Sequence, residues 1–287
     1  MRWSQSRQSS NVEDRRGRGV SGGAKIGGGA GLLIIVVVML LGGDPRQVMQ
    51  LLESAGGPAS VPTETSGPPS DETGRFLGAV LGMTEDVWTE LFAAAGSRYT
   101  PPTMVLFTES VESACGFSTA ATGPFYCPPD QKLYLDAGFF EELARLGGPG
   151  DFAQAYVIGH EVGHHVQNLM GTADRVRELQ GRAPDQAEVN HLGVLMELQA
   201  DCYAGVWAYH ANRRQQVLEP GDIEEGLAAA SAIGDDRLLR RAGRAVAPES
   251  FTHGSSAQRR HWLEIGLETG DVGRCDTFGE AGLTRGS

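Results

Sequence analysis

His160-Glu161-Val162-Gly163-His164 reads H-E-x-x-H, inside a segment with helical punctuation. Residues four apart on an α-helix share a face, so the two imidazoles can point at one ion. Glu161 sits one step round, within reach of a water held by that ion. Two neutral imidazoles at this spacing suit zinc, and a carboxylate beside the water suits a general base. Ordinary residue frequencies give H-E-x-x-H in roughly one per cent of chains this long, so the surroundings must carry the reading. Upstream, Asp151 and Gln154 form a capping-box pattern, and Gly171 ends the run. The spacing predicts a helix over about 152–170. Its apolar residues, among them Phe152, Tyr156, Val157, Ile158, Val162 and Val166, surround it, as in a buried helix. Gly159 and Gly163 each cost about 1 kcal/mol relative to alanine there, which implies a close neighbour on that face.

Two histidines do not complete a zinc site; a third protein ligand is needed, with water in the fourth position. Pro184 and Asp185 open a second long predicted helix, about 185–213, that contains Glu197-Leu198-Gln199-Ala200-Asp201. This E-x-x-x-D pair again shares one face. Glu197 is the candidate third ligand, and Asp201 is placed to accept the remaining N–H of a ligating histidine. Both carboxylates lie among Leu192, Val194, Leu195, Met196, Leu198 and Tyr203. A solvated acidic face would not look like this; carboxylates so placed need a cation or hydrogen-bond partners. His165 falls about 100° from its neighbour and so faces another side. His191, His210 and His261 have no metal-ligand spacing, and no phosphate loop, dinucleotide fingerprint or G-x-S-x-G elbow is present.

The chain has 287 residues and a net charge of −12, which argues against nucleic acid as a partner. Residues 1–25 carry a net +4, leaving −16 for the remainder. Between Lys25 and Asp44 lie eighteen uncharged residues, Ile26 to Gly43, solidly apolar from Leu32 to Leu41. That length is near the lower limit for a membrane span, and the basic start orients it. The expectation is a cytoplasmic disordered tail over 1–25, a transmembrane signal anchor over 26–43, a linker over 44–74 and one folded domain over 75–287. The protein is then expected in the cell membrane as a single-pass chain, N-terminus inside and domain outside. An even number of cysteines outside the cytoplasm reads as disulfides, with three connectivities for four cysteines. Cys115–Cys127 and Cys202–Cys275 is the favoured pairing; free buried thiols are the alternative. No C-x-x-C pair supports a thiolate zinc site.

Thr84 and Gly96 bound a predicted helix near 84–95. Met104–Phe107, Phe125–Cys127 and Lys132–Asp136 read as short strands, and a helix follows from Ala137 to before Gly147. Further helices are expected near 221–233 and 256–268.

H-E-x-x-H on one helix and E-x-x-x-D on a later one resembles the gluzincin metallopeptidases, thermolysin among them. More closely, the chain resembles the putative neutral zinc metallopeptidase family of bacterial membrane-anchored proteins. The resemblance runs through Asn11-Val12-Glu13-Asp14-Arg15-Arg16-Gly17, Gly123-Pro124-Phe125-Tyr126-Cys127-Pro128, Tyr134-Leu135-Asp136, Gly159 to Gln167, Glu197 to Cys202 and Thr252-His253-Gly254-Ser255. It implies an α+β, mainly helical zincin-like domain with a small β-sheet, preceded by the N-terminal transmembrane helix. It also implies zinc on His160, His164 and Glu197, Glu161 as catalytic base and Asp201 as orienting partner. The gluzincin pattern usually adds a His or Tyr that steadies an oxyanion; His253 is the candidate, with Tyr156 and Tyr203 behind it. The expected activity is that of a zinc metalloendopeptidase acting on peptides or proteins of the cell envelope. A substrate strand would pair with a sheet edge, for which 132–136 is the candidate. The alternative is an envelope binding or scaffold protein whose zinc is structural, with His253 or His165 as a fourth ligand.

Overall fold

A computed structural model describes residues 1–17 and 69–283. The first strand, β1 (Val12–Asp14), comes from the N-terminal segment. Helix α1 (Glu72–Ala94) follows, then β2 (Thr103–Phe107), the hairpin of β3 (Ser110–Ser113) and β4 (Gly116–Thr119), β5 (Phe125–Cys127) and β6 (Lys132–Asp136). The remainder is helical: α2 (Phe139–Leu146), α3 (Asp151–Leu169), α4 (Thr172–Arg182), α5 (Gln186–Gln215), α6 (Asp222–Ala232), α7 (Asp235–Arg241), α8 (Ser256–Thr269) and α9 (Thr277–Glu280). The mainly helical α+β body is as expected.

The main sheet has the order β1-β2-β6-β5. The first three strands are parallel, and β5 runs antiparallel to β6. Alternation along β2 divides the packing: Met104 and Leu106 join the helical core, while Val105 and Phe107 join a smaller cluster with Val111, Cys127 and Tyr134. The β3–β4 hairpin, which has no clear signal in the sequence, supplies Val111 to that second face. The Cys115–Cys127 disulfide ties the hairpin to β5.

Two helix crossings set the frame of the site. A Cβ on Gly163 of α3 would lie 2.9 Å from the Ala200 carbonyl oxygen of α5, and one on Gly159 would lie 2.9 Å from the Trp207 ring. The glycines of α3 are therefore where a second helix presses in, as their position in a buried helix implied. Helix α8 meets α5 more closely still, since a Cβ on Gly266 would collide with the Cys202 carbonyl oxygen.

Several expectations are corrected. The apolar run at 26–43 lies outside the described residues, and among the described residues no helix is long and apolar enough to cross a membrane. The expected single-pass topology also conflicts with strand pairing. Val12, Glu13 and Asp14 pair with Met104, Val105 and Leu106, so the two segments share one side of any bilayer. A single crossing between them would separate hydrogen-bonded strands, so the expected N-terminal transmembrane helix and single-pass membrane localisation are not supported. Residues before 18 are likewise no free tail: Asn11 Nδ2 donates to Glu85 Oε1 at 2.7 Å, and Arg16 pairs with Asp14 and Asp71.

Helix α1 starts twelve residues before the expected Thr84, because the Asp71 carboxylate accepts the Gly74 N–H at 3.0 Å. Thr84 lies inside the helix and turns its hydroxyl onto the Leu81 carbonyl at 2.7 Å. At α3 the capping-box reading fails: Gly150 is the N-cap, and the Asp151 carboxylate instead accepts from the Met1 ammonium at 2.6 and 2.7 Å. Strand 132–136 lies between β2 and β5, so β5 is the edge of the sheet on that side.

Candidate metal centre

Helix α3 presents His160, Glu161 and His164, and α5 presents Glu197 and Asp201 across the Gly163–Ala200 contact. One ligand atom each from His160, His164 and Glu197 lies within 4.8 Å of the others. His160 Nε2 is 3.2 Å from Glu197 Oε2, His164 Nε2 is 3.4 Å from Glu197 Oε1, and the two Nε2 atoms are 3.1 Å apart. The expected triad is thus brought together.

Partners on the far side of each ring orient it. His160 Nδ1 donates to Asp201 Oδ1 at 2.8 Å. Asp201 is fully buried and gripped by Arg259 from α8, through Nε to Oδ2 at 2.8 Å and a terminal nitrogen to Oδ1 at 2.9 Å. The Tyr156 hydroxyl donates to the same Oδ1 at 2.5 Å. Burial alone would raise the Asp201 carboxyl, but the Arg259 charge and His160 outweigh it and hold it at about 2. His164 Nδ1 lies 2.9 Å from Gln167 Oε1, an amide oxygen that can only accept. Both rings therefore carry their proton on Nδ1 and turn an Nε2 lone pair inward.

Two lone pairs and a carboxylate converging on one point require a positive charge between them. Burial disfavours a charged His160, yet the charge of Asp201 and the hydrogen bonds of Asp201 and Glu197 raise it to about 10. His164 is raised as well, against its burial, by the Glu197 charge. Glu197 is held well below the usual carboxylate range by the two imidazoles despite its burial. A protein that so favours positive charge at this point favours a proton or a metal cation. Two imidazole nitrogens, each ring with an oriented outer partner, and one carboxylate oxygen are the donor set of an open zinc site.

The cluster opens on a cleft of about 600 Å³ whose walls include Phe125, Tyr126, Phe139, Val157 and Leu238. Glu161, nearly buried, lines the same cleft. His253 also lines it, half exposed. Its Nδ1 lies 2.9 Å from Thr252 Oγ1 and 3.5 Å from Asp235 Oδ1, outside the three-ligand cluster. Asp235 Oδ2 also accepts the backbone N–H groups of Thr252, His253 and Gly254 at 2.7, 2.7 and 3.1 Å. Tyr203 is drawn away, its hydroxyl facing Met170 Sδ at 3.8 Å. His165 faces a different side, as its angular offset required. Its Nε2 donates to the Thr100 carbonyl at 2.7 Å and its Nδ1 accepts from the Tyr126 hydroxyl at 3.0 Å, so it is no metal ligand.

Arg259, Asp235 and Gln167 escape sequence reasoning. Gln167 had a signal: it sits three residues after His164, on the same helix face. Arg259 and Asp235 lie on separate elements with no fixed spacing to the motif, so none pointed to them.

An α+β, mostly helical protein with an H-E-x-x-H and E-x-x-x-D cluster suited to a divalent cation is the class these features describe. The chain belongs to the family described as putative neutral zinc metallopeptidase, whose pattern matches residues 1–278. It is 44% identical over 294 residues to the uncharacterized protein YpfJ of Escherichia coli K12, covering 98% of this chain and 100% of that one. The uncharacterized protein Rv2575 of Mycobacterium tuberculosis H37Rv is 44% identical over 217 residues, covering 71% of this chain and 70% of the relative. No solved structure matches the chain.

Proposed function

We propose that this protein is a zinc metallopeptidase that hydrolyses peptide bonds of a peptide or protein substrate in the cleft above His160, His164 and Glu197. The observation that carries the reading is the convergence of two inward lone pairs and a carboxylate beside Glu161, all lining one cleft. Zinc bound there would supply Lewis acidity, lowering the pKa of a water and polarising a substrate carbonyl. Glu161 accepts the proton of the attacking water and passes it to the leaving amine. Asp201 and Gln167 hold the two rings in the tautomer that binds metal. His253, steadied through Nδ1 by Asp235 and Thr252, offers its Nε2 to the oxyanion. Strand β5, the sheet edge on the cleft, takes an extended substrate by backbone pairing.

The rival reading, a structural zinc in a scaffold protein, calls for a fourth protein ligand. Among the described residues the cluster has three: His165 has both ring nitrogens bonded elsewhere, and His253 lies outside the cluster. The test is Glu161→Gln. The variant should retain zinc and lose about 10²–10⁴-fold in hydrolysis of an unstructured protein such as casein. Cleavage at the wild-type rate would remove Glu161 from the mechanism, and a wild-type chain that binds no zinc would end the reading.

A further inference from the structure

A directed chain of buried hydrogen bonds runs from the C-terminal segment to the metal centre. It starts at the Cys275 backbone carbonyl, which can only accept. The Gln199 group facing it at 2.9 Å is therefore the amide NH₂, and the Gln199 oxygen faces the other way. Gln167 Nε2 lies 3.2 Å from that oxygen and 2.7 Å from the Met196 carbonyl, so both of its protons are committed. Gln167 Oε1 is left to face His164 Nδ1 at 2.9 Å, and the imidazole must donate. Two backbone carbonyls thus dictate both amide orientations and, through them, the nitrogen of His164 that carries the proton. Gln167 is fully buried and Gln199 nearly so, which leaves little room for water to substitute.

The carbonyl at the head of this chain is held in place by tertiary anchors. The Cys202–Cys275 disulfide joins it to α5 with a Cα–Cα separation of 5.6 Å. Two residues on, the Thr277 hydroxyl donates to the Leu195 carbonyl at 2.8 Å, and Phe278 packs with Val176, Leu192 and Leu195.

We infer that the segment 275–283, pinned by the Cys202–Cys275 disulfide, is a positioning element for the metal ligand His164, acting through Gln199 and Gln167. The inference rests on the metal-centre reading above. It makes Gln199, which touches no ligand atom, a determinant of zinc affinity. It also couples that affinity to one disulfide and not to the other.

The test measures zinc affinity of the full chain by competition with a chromophoric chelator at pH 7.5, with circular dichroism and thiol titration as folding controls. Gln199→Leu should keep both disulfides and weaken zinc binding about 10–100-fold. Cys202→Ser/Cys275→Ser should weaken it in the same direction, and adding Gln199→Leu to that pair should cost less than in the wild type. Cys115→Ser/Cys127→Ser should leave the affinity within about twofold. Nitrogen-15 shifts of His164 in the zinc-loaded wild type should show Nδ1 protonated and Nε2 metallated. If the wild type binds no zinc, the metal centre itself fails. If it binds zinc and Gln199→Leu binds equally well, the relay alone is wrong. Should Gln199→Leu not fold, the nitrogen shifts decide: zinc on Nδ1 of His164 overturns the relay.

Discussion

At the scale of the residue, Asp201 shows how a buried charge is made tolerable. It accepts from His160, Tyr156 and Arg259 at once and has no exposure to water. Asp201→Asn would leave the Arg259 guanidinium buried without its counter-charge, which costs about 3–5 kcal/mol. The His160 ring would exchange a charged acceptor for at best a neutral amide oxygen, and zinc affinity should fall about 10–100-fold. Urea unfolding and chelator competition measure the two effects; a zinc affinity within threefold of wild type would separate Asp201 from the site. His165 makes a different prediction, because burial holds its imidazole neutral and lowers it from 6.5 to about 4. Between those values the unfolded chain binds the proton and the folded one does not, so stability rises with pH. The contribution is complete above pH 6.5 and is lost as pH falls to about 4, by about 1.4 kcal/mol per unit and about 3 kcal/mol in all. Urea titrations of zinc-free wild type and His165→Gln at pH 7.5 and 5 should show a steeper acid loss in the wild type. Parallel losses would refute the assignment.

At the scale of the element, the α3–α5 crossing decides whether the ligands meet. Gly163→Ala gains about 1 kcal/mol of helix propensity. The new Cβ would sit 2.9 Å from the Ala200 oxygen and 3.0 Å from its Cα, both backbone atoms that cannot step aside alone. Overpacking of this kind costs about 1–3 kcal/mol, so the net effect should be destabilising, with weaker zinc binding as Glu197 moves off the histidines. Gly181→Ala in α4, where a Cβ would meet nothing within 4 Å, should instead be neutral or stabilising. Melting temperatures of the two variants check the sign; a stabilised Gly163→Ala would show that the helices have room to part. Apolar periodicity and glycine spacing make α3 and α5 legible in the sequence. Helix starts are less so, because a cap is a competition between nearby side chains: Thr84 has the right chemistry but finds the Leu81 carbonyl, while Asp71 finds the Gly74 N–H.

At the scale of the whole molecule, the N-terminal segment is part of the body. β1 completes the sheet beside β2, Val12 joins the core, and Trp3 stacks edge-on against Phe76. A chain beginning at residue 69 should unfold at lower urea than the full chain, because β2 loses its neighbour and the apolar face of α1 its cover. An unchanged midpoint would show that segment to be dispensable. Local chemistry alone dictated much of the candidate site. H-E-x-x-H and E-x-x-x-D each place two side chains on one helix face through backbone geometry, and their apolar surroundings declare both helices buried. The partners of that site were decided by tertiary structure. Arg259 reaches Asp201, Asp235 reaches His253 and the Cys275 carbonyl reaches Gln199, each from a separate element with no spacing rule relating it to the motif. Strand pairing settled what the apolar run at 26–43 could not. Hydropathy reports whether a segment tolerates lipid, whereas a hydrogen-bonded ladder between residues 12–14 and 104–106 reports which parts of the chain share a side.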